Sequence, residues 1–174
     1  MQSIPFEGFK PLADVGRVAL VCIAKDEDPY IDEWIDYHLK LGVDQIFIYE
    51  NDWRLDGKRN RVTTIPFDGP GRQIYAYNDF IFTNGETGIV YDWAIFIDVD
   101  EFICLKQHNS IKDFLRDYGK IPKRVDAIAM NWMTFGSGNN VQPNGSVLER
   151  FTWRAAEPER HVKLIVNLDG DRLM

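Results

Sequence analysis

Three carboxylates stand within four positions at Asp98, Asp100 and Glu101, inside the stretch FIDVDEF and directly behind the apolar run Trp93-Ala94-Ile95. Acids crowded against a segment that reads as buried are costly, because like charges repel and desolvated ones lose their hydration. A hard divalent cation resolves the conflict. Mg2+ or Mn2+ takes one or two carboxylates and fills its remaining positions with water and substrate phosphate. If the chain stays extended here, Asp98 and Asp100 project to one side and Glu101 to the other, since strand side chains alternate with period two. The chemistry on offer is Lewis-acid support of a leaving diphosphate. A D-x-D pair is short and common on solvated turns, so its weight depends on the elements that position it.

Those elements alternate. Residues 18–23 (VALVCI) form a continuous β-branched run suited to a parallel strand buried on both faces. The polar AKDEDPY follows, in which Asp28 is placed to cap a helix and Pro29 to open it. Ile31, Trp34, Ile35, His38 and Leu39 then recur at helical spacing, with Gly42 as the stop. Residues 45–49 (QIFIY) read as a second strand ending in Glu50-Asn51-Asp52, and residues 62–67 (VTTIPF) as a third. Residues 72–82 read as a helix with Ile74, Tyr77 and Ile81 on one face, and residues 93–97 as the fourth strand. Ser110 and Asp113 make a capping box before a further helix closed by Gly119. Residues 125–130, 147–153 and 162–166 are the remaining strand candidates. Strands alternating with helices predict a single α/β domain over residues 1–174, with a mixed, mostly parallel central sheet flanked by helices and an N-terminal arm over residues 1–16. In such a sheet ligands bind beyond the carboxyl ends of the strands. AKDED, END and DVDE are three such ends and would line one rim.

Composition narrows the function classes. At 174 residues with 45% hydrophobic side chains the chain can bury a real core. A net charge of −7 counts against a nucleic-acid-binding surface, because phosphate backbones select basic faces. Cys22 and Cys104 both fall in apolar, strand-like surroundings and form no C-x-x-C pair, as buried reduced thiols of a cytoplasmic protein would. Two separated cysteines and the scattered His38, His108 and His161 do not assemble a zinc site. The N-terminal residues lack the basic and apolar regions of a signal peptide, and no apolar run is long enough to span a membrane. Phe6 and Phe9 leave peripheral membrane association open.

VALVCIAKDEDPYIDEWIDYHLKLGVDQIFIYEND, RQIYAYND, DWAIFIDVDEF, NWMTFGSG, LERFTW and HVKLIV together resemble the DUF23-like glycosyltransferases, meaning glycosyltransferase family 92 and its bacterial and viral relatives in the family 2 superfamily. The stretches run in family order over residues 17–166, with Lys25-Asp26-Glu27 where the family usually has K-N-E. The resemblance implies a GT-A, nucleotide-diphospho-sugar-binding fold. It implies that Asp98-Val99-Asp100 is the family D-x-D, with Asp98 facing the ribose or the metal and Asp100 ligating the Mn2+ or Mg2+ that bridges the diphosphate. Ala24, Lys25, Glu27, Asn51 and Asp52 would line the nucleotide pocket, Arg72 and Gln73 would border the ribose and sugar, and Lys163 would neutralise the departing diphosphate. The family continues past HVKLIV to a histidine and an aromatic segment, whereas this chain stops at Met174: it is either truncated or a minimal form whose metal site is completed by water or substrate.

The implied reaction is inverting transfer of a sugar from a nucleotide-diphospho-sugar, UDP-sugars first, to a hydroxyl of a glycan or glycoconjugate. Inversion requires a carboxylate base at the acceptor hydroxyl. Glu149, Glu157 and Glu101 are the candidates, with Glu157 preferred because its AAEPER loop can meet an acceptor. Trp132 and Phe135 are placed to stack on that acceptor or to belong to the core, and the Gly-rich GSGNN loop reads as a flap. Two rivals stand beside this reading. One is a non-catalytic domain that binds sugar nucleotides. The other is an Asp-nucleophile hydrolase, disfavoured because its D-x-D normally follows the first strand.

Overall fold

The computed structural model describes residues 15–27, 29–118, 125–138 and 145–168. Most of the N-terminal arm, Asp28, Gly119 and the end of the GSGNN loop lie outside them. The elements run β1 (Val18–Ala24), α1 (Ile31–Lys40), β2 (Gln45–Glu50), β3 (Val62–Pro66), α2 (Gln73–Thr83), β4 (Trp93–Phe96), α3 (Ile111–Tyr118), β5 (Ala127–Asn131), β6 (Phe135–Gly136), α4 (Val147–Arg150), β7 (Trp153–Arg154) and β8 (Val162–Asn167). Six strands form one sheet in the order β3-β2-β1-β4-β8-β5. β3, β2, β1 and β4 are mutually parallel, and β8 lies antiparallel between β4 and β5. The mostly parallel α/β sheet flanked by helices is the architecture expected from the sequence.

The burial of β1 on both faces explains its unbroken apolar run. Val18, Leu20, Cys22 and Ala24 pack on one face with Trp34 and Ile35 of α1 and with Ile111 and Leu115 of α3. Ala19 and Val21 pack on the other with Ala76 and Phe80 of α2. Leu20, Ile46, Ile48 and Ile95 are fully buried, each contributing roughly 1.5–3 kcal/mol relative to exposure. β2 and β3 continue to one side of β1, and the chain then crosses back to lay β4 on the other side. The strand order therefore reverses at β1 and β4, the point at which open α/β sheets hold ligands. The acidic stretch leaves the sheet at the carboxyl end of β4, inside that crevice.

Helix ends follow local chemistry. Gly42, at φ 103°, ends α1 with the Gly42 N–H donating to Leu39 O at 3.3 Å and the Val43 N–H to His38 O at 3.2 Å. This paired closure uses a left-handed conformation that glycine adopts without a Cβ clash. At α3 the Asp113 N–H donates to Ser110 Oγ at 3.1 Å and the Ser110 hydroxyl donates to Asp113 Oδ2 at 2.8 Å, as the capping box predicts.

Four expectations are corrected. The strand expected over residues 147–153 is instead α4, followed by β7, which among the described residues pairs with β6 alone. Ser146 caps this helix by accepting the Glu149 N–H at 3.4 Å, and Glu33 of α1 braces the cap, its carboxylate accepting from the Ser146 hydroxyl and from the Val147 N–H at 2.6 Å. Cys104 is exposed and lies outside any strand, unlike buried Cys22. Ile74 is 72% exposed, because Ala76 and Phe80 form the buried stripe of α2, with Tyr77 and Ile81 beside it. Finally, Pro29 precedes α1 rather than opening it, and the Tyr30 and Ile31 amides donate to Glu27 O.

Candidate functional site

β4 stops at Phe96, and the chain does not stay extended through the acids. The Glu101 N–H donates back to Asp98 O at 3.1 Å, closing a turn. The Glu101 carboxylate in turn accepts the Asp98 N–H at 3.0 Å. Glu101 therefore does not point away from its neighbours, as an extended strand would require. Asp98, Asp100 and Glu101 instead present oxygens that all lie within 4.8 Å of one another. The alternation argument fails here because the turn replaces the pleat.

α1 holds the exit of this turn. Trp34 Nε1–H donates to Glu101 O at 2.8 Å, and the Tyr37 hydroxyl donates to Ile103 O at 2.7 Å. His38 is buried between Trp34 O, 2.8 Å from its Nδ1, and the Ile103 N–H, 3.4 Å from its Nε2. Those partners call for a neutral ring with Nδ1 protonated and Nε2 accepting. Burial lowers its pKa to about 4, against the hydrogen bond to Trp34 O, which favours the charged ring. The helical stripe that builds the core thus also grips the acidic turn.

Side chains from two other elements engage Asp98. Gln73, at the start of α2, donates Nε2–H to Asp98 Oδ1 at 2.6 Å. Lys163 of β8 donates to Asp98 Oδ2 at 2.6 Å and stands 3.4 Å from Glu101 Oε2. Antiparallel pairing of Phe96 with Leu164 carries Lys163 just past the end of β4. Its ammonium lies 5.3 Å from the centre of the Trp132 ring. Trp132 is therefore the neighbour of Lys163 and of His161. Phe135 lies in the exposed β6–β7 ribbon.

A cleft of about 450 Å³ opens over this turn, lined by Asp98, Val99 and Asp100, by Ala24, Lys25 and Glu27 after β1, by Asn51 after β2, and by Gly71, Arg72 and Gln73 before and at the start of α2. The three polar strand ends thus share one rim, as expected. Burial pushes the Glu27 carboxyl above its ordinary range, and the charges of Asp100, Asp26 and Asp98 add to the rise. Burial also raises Glu101, assisted by Asp98 and opposed by the Asp98 amide and Lys163. A donor set made only of carboxylate oxygens, crowded and partly buried, fits a hard divalent cation such as Mg2+ or Mn2+.

Other predicted residues shape the cleft rather than the acidic turn. Asn51 donates its amide hydrogens to Phe67 O and Gly69 O, pinning the loop between β3 and α2. Asp52, in a left-handed conformation with φ 50°, accepts the Gly69 N–H at 3.3 Å and pairs with Lys25 at 3.4 Å. Arg72 donates Nε–H to Asp68 O and lies over the Phe67 ring. Glu149 is exposed on α4 and Glu157 is exposed between β7 and β8; neither lines the cleft. Glu157 sits on a segment tied to the chain beyond β5 by Ala155 N–H to Thr134 O and Glu159 N–H to Trp132 O. Sequence reasoning missed Tyr77, which accepts from Gln73 at 3.1 Å. Its position one helical turn after Gln73 was the available signal. A second concavity of about 450 Å³ beside α1 holds Asp32 and Arg59, already paired with each other at 2.6 Å.

No protein-family model matches the chain. It is 30% identical over 156 residues to a glycosyltransferase family 92 protein of Oryza sativa subsp. japonica, with 83% of this chain and 26% of that protein covered. Family 92 proteins of Arabidopsis thaliana and Ricinus communis are 28% and 24% identical, over 80% and 86% of this chain and 27% and 28% of their own lengths. The chain spans about a quarter of the length of these curated relatives.

Proposed function

We propose, from the premise that this chain is a homologue of the glycosyltransferase family 92 proteins, that it transfers a sugar from a nucleotide-diphospho-sugar to an acceptor hydroxyl on a glycan or glycoconjugate. The observation that carries the reading is the turn gathering Asp98, Asp100 and Glu101 at the β1–β4 crossover, facing a cleft of about 450 Å³. An acidic rim repels a bare diphosphate, so the same carboxylates that hold a cation allow the donor to approach. A bound Mn2+ or Mg2+ would supply Lewis-acid stabilisation of the leaving diphosphate. Asp100, exposed in the cleft, is its principal proposed ligand, with Asp98 beside it. Ala24, Lys25, Glu27, Asn51 and Asp52 would line the nucleotide side, with Arg72 and Gln73 toward the ribose and sugar. Lys163 would add positive charge near the departing oxygens. We assign the acceptor base to Glu157, because its segment runs beside Trp132 at the Lys163 side of the site. The donor is taken to be a UDP-sugar and the outcome inversion, following the sequence resemblance.

The direct test is a panel of nucleotide-diphospho-sugars incubated with the protein, Mn2+ or Mg2+ and candidate glycan acceptors, scoring released nucleoside diphosphate and glycosylated product. Transfer that disappears in Asp100→Asn supports the reading. Binding of nucleotide sugars with neither hydrolysis nor transfer would replace it with a non-catalytic domain.

A further inference from the structure

The acidic turn already has a cation of its own. Glu27, Asp98, Asp100 and Glu101 crowd one site, and three basic side chains stand near it. Lys25 is turned to Asp52 at 3.4 Å, and Arg72 is turned to Asp68 O and the Phe67 ring. Lys163 alone of these three engages the acids, 2.6 Å from Asp98 Oδ2 and 3.4 Å from Glu101 Oε2. Gln73 takes the other Asp98 oxygen at 2.6 Å. Both oxygens of Asp98 are therefore engaged by protein donors, whereas Asp100 is exposed to the cleft.

A divalent cation needs carboxylate lone pairs at coordination distance, and an ammonium hydrogen-bonded to the same oxygens blocks them while repelling the cation. Lys163 can yield, because its four-carbon stem is flexible and its ammonium is a mobile point charge. Trp132, 5.3 Å away, offers the ammonium a ring face beside the carboxylates.

We infer that Lys163 is a built-in counter-ion of the acidic turn, competing with the divalent cation for Asp98 and Glu101 and released toward the cleft when that cation binds. This rests on the metal-assisted donor site proposed above. The consequence is coupling: the side chain that leaves Asp98 is the one then able to meet the donor diphosphate, so cation and nucleoside diphosphate favour each other's binding through Lys163. In the cation-free state the same ion pair keeps the acids from repelling one another.

Calorimetric titration of Mn2+ alone into the wild type, Lys163→Met, Lys163→Arg and Asp100→Asn tests the competition. Lys163→Met should bind Mn2+ about tenfold more tightly than wild type, a typical coupling strength. Lys163→Arg, which keeps the charge, should stay close to wild type. A Lys163→Met protein that binds Mn2+ equally or more weakly overturns the inference, and a merely structural lysine predicts that weakening. Should wild type bind Mn2+ and Asp100→Asn lose it while Lys163→Met gains nothing, the donor-site reading stands and this inference alone fails. Absence of Mn2+ binding in both wild type and Lys163→Met removes both. A measurement on the wild type covers the case in which Lys163→Met does not fold. Acylation of Lys163 by an amine-reactive ester, read by peptide mass spectrometry, should rise several-fold on Mn2+ addition by analogy with such couplings; unchanged or reduced labelling contradicts release.

Discussion

The parallel half of the molecule and its later ribbon are built on opposite terms. β1, β2 and β4 are buried on both faces, and the segments beyond their carboxyl ends are held by side chains: Asn51 after β2 binds the loop after β3, and Tyr37 and His38 of α1 bind the chain after β4. β6, β7 and α4 bury no residue, and Trp153 stands 71% exposed. The difference separates preorganisation from adaptability. The side that holds charges close together needs rigid walls, because crowded carboxylates relax apart wherever the backbone yields. The ribbon side offers exposed aromatic and apolar side chains, which suit contact with something outside the described residues.

That contrast is open to breaking. Trp34→Ala should produce the largest loss of stability, about 3–5 kcal/mol by denaturant titration, because it empties a fully buried site and removes the bond to Glu101 O. The next effect is that of pH. His38 is neutral in the fold with a pKa of about 4, below its unfolded value near 6.5. Between those values the unfolded chain binds more protons, so stability rises with pH across the window. It should fall by up to roughly 3 kcal/mol as pH drops from about 6.5 through about 4, with the slope flattened in His38→Gln. The partly buried Glu27 and Glu101 carboxyls, raised in the fold, act in the opposite sense, so the His38 part is read as the difference between the two proteins. A His38→Gln profile identical to wild type would remove His38 from the grip on the turn.

On the proposed function, Gln73→Ala should lower transfer by about tenfold with little change in melting temperature, because it removes the neutral donor that orients the Asp98 carboxylate without disturbing the core. Glu33→Ala should cost about 1 kcal/mol, typical of a lost helix cap, with faster amide exchange confined to α4. At the small end, Trp153→Ala should change stability by no more than about 0.5 kcal/mol. A loss there comparable with Trp34→Ala would show that the ribbon is as firmly packed as the sheet.

The same contrast governs what was legible in the residues. β1, β2 and β4 follow from long apolar runs, because burial on two faces leaves them unambiguous. α1 follows from its helical apolar spacing and its glycine stop, and β3, an edge strand with no buried residue, from its β-branched residues. The shared rim of strand ends followed from that layout. Glu101 was misplaced because a single backbone turn, held by its own carboxylate, reversed the direction that strand pleating predicts. α4 was misread as a strand because its apolar residues outweighed a local signal, Ser146 with Glu149 three residues on, in which Ser146 caps the helix by accepting the Glu149 N–H. The support that Glu33 adds from more than a hundred residues away leaves no trace in local propensity. Lys163 was named from resemblance, while its bond to Asp98 depends on β8 lying antiparallel beside β4, a pairing that periodicity does not specify.

The central claim is that the acidic turn is a cation-dependent nucleoside diphosphate site. Thermal unfolding of the wild type and Asp100→Ala, with UDP alone, Mn2+ alone and both together, measures it most directly. A ligand that binds only the folded state raises its melting temperature, by about 2.7 kcal/mol of stabilisation at a hundredfold excess over Kd. The account predicts a rise with UDP and Mn2+ together that exceeds the sum of the separate rises and vanishes in Asp100→Ala. Wild-type melting that is indifferent to UDP and to every other nucleoside diphosphate, with or without Mn2+, would contradict it.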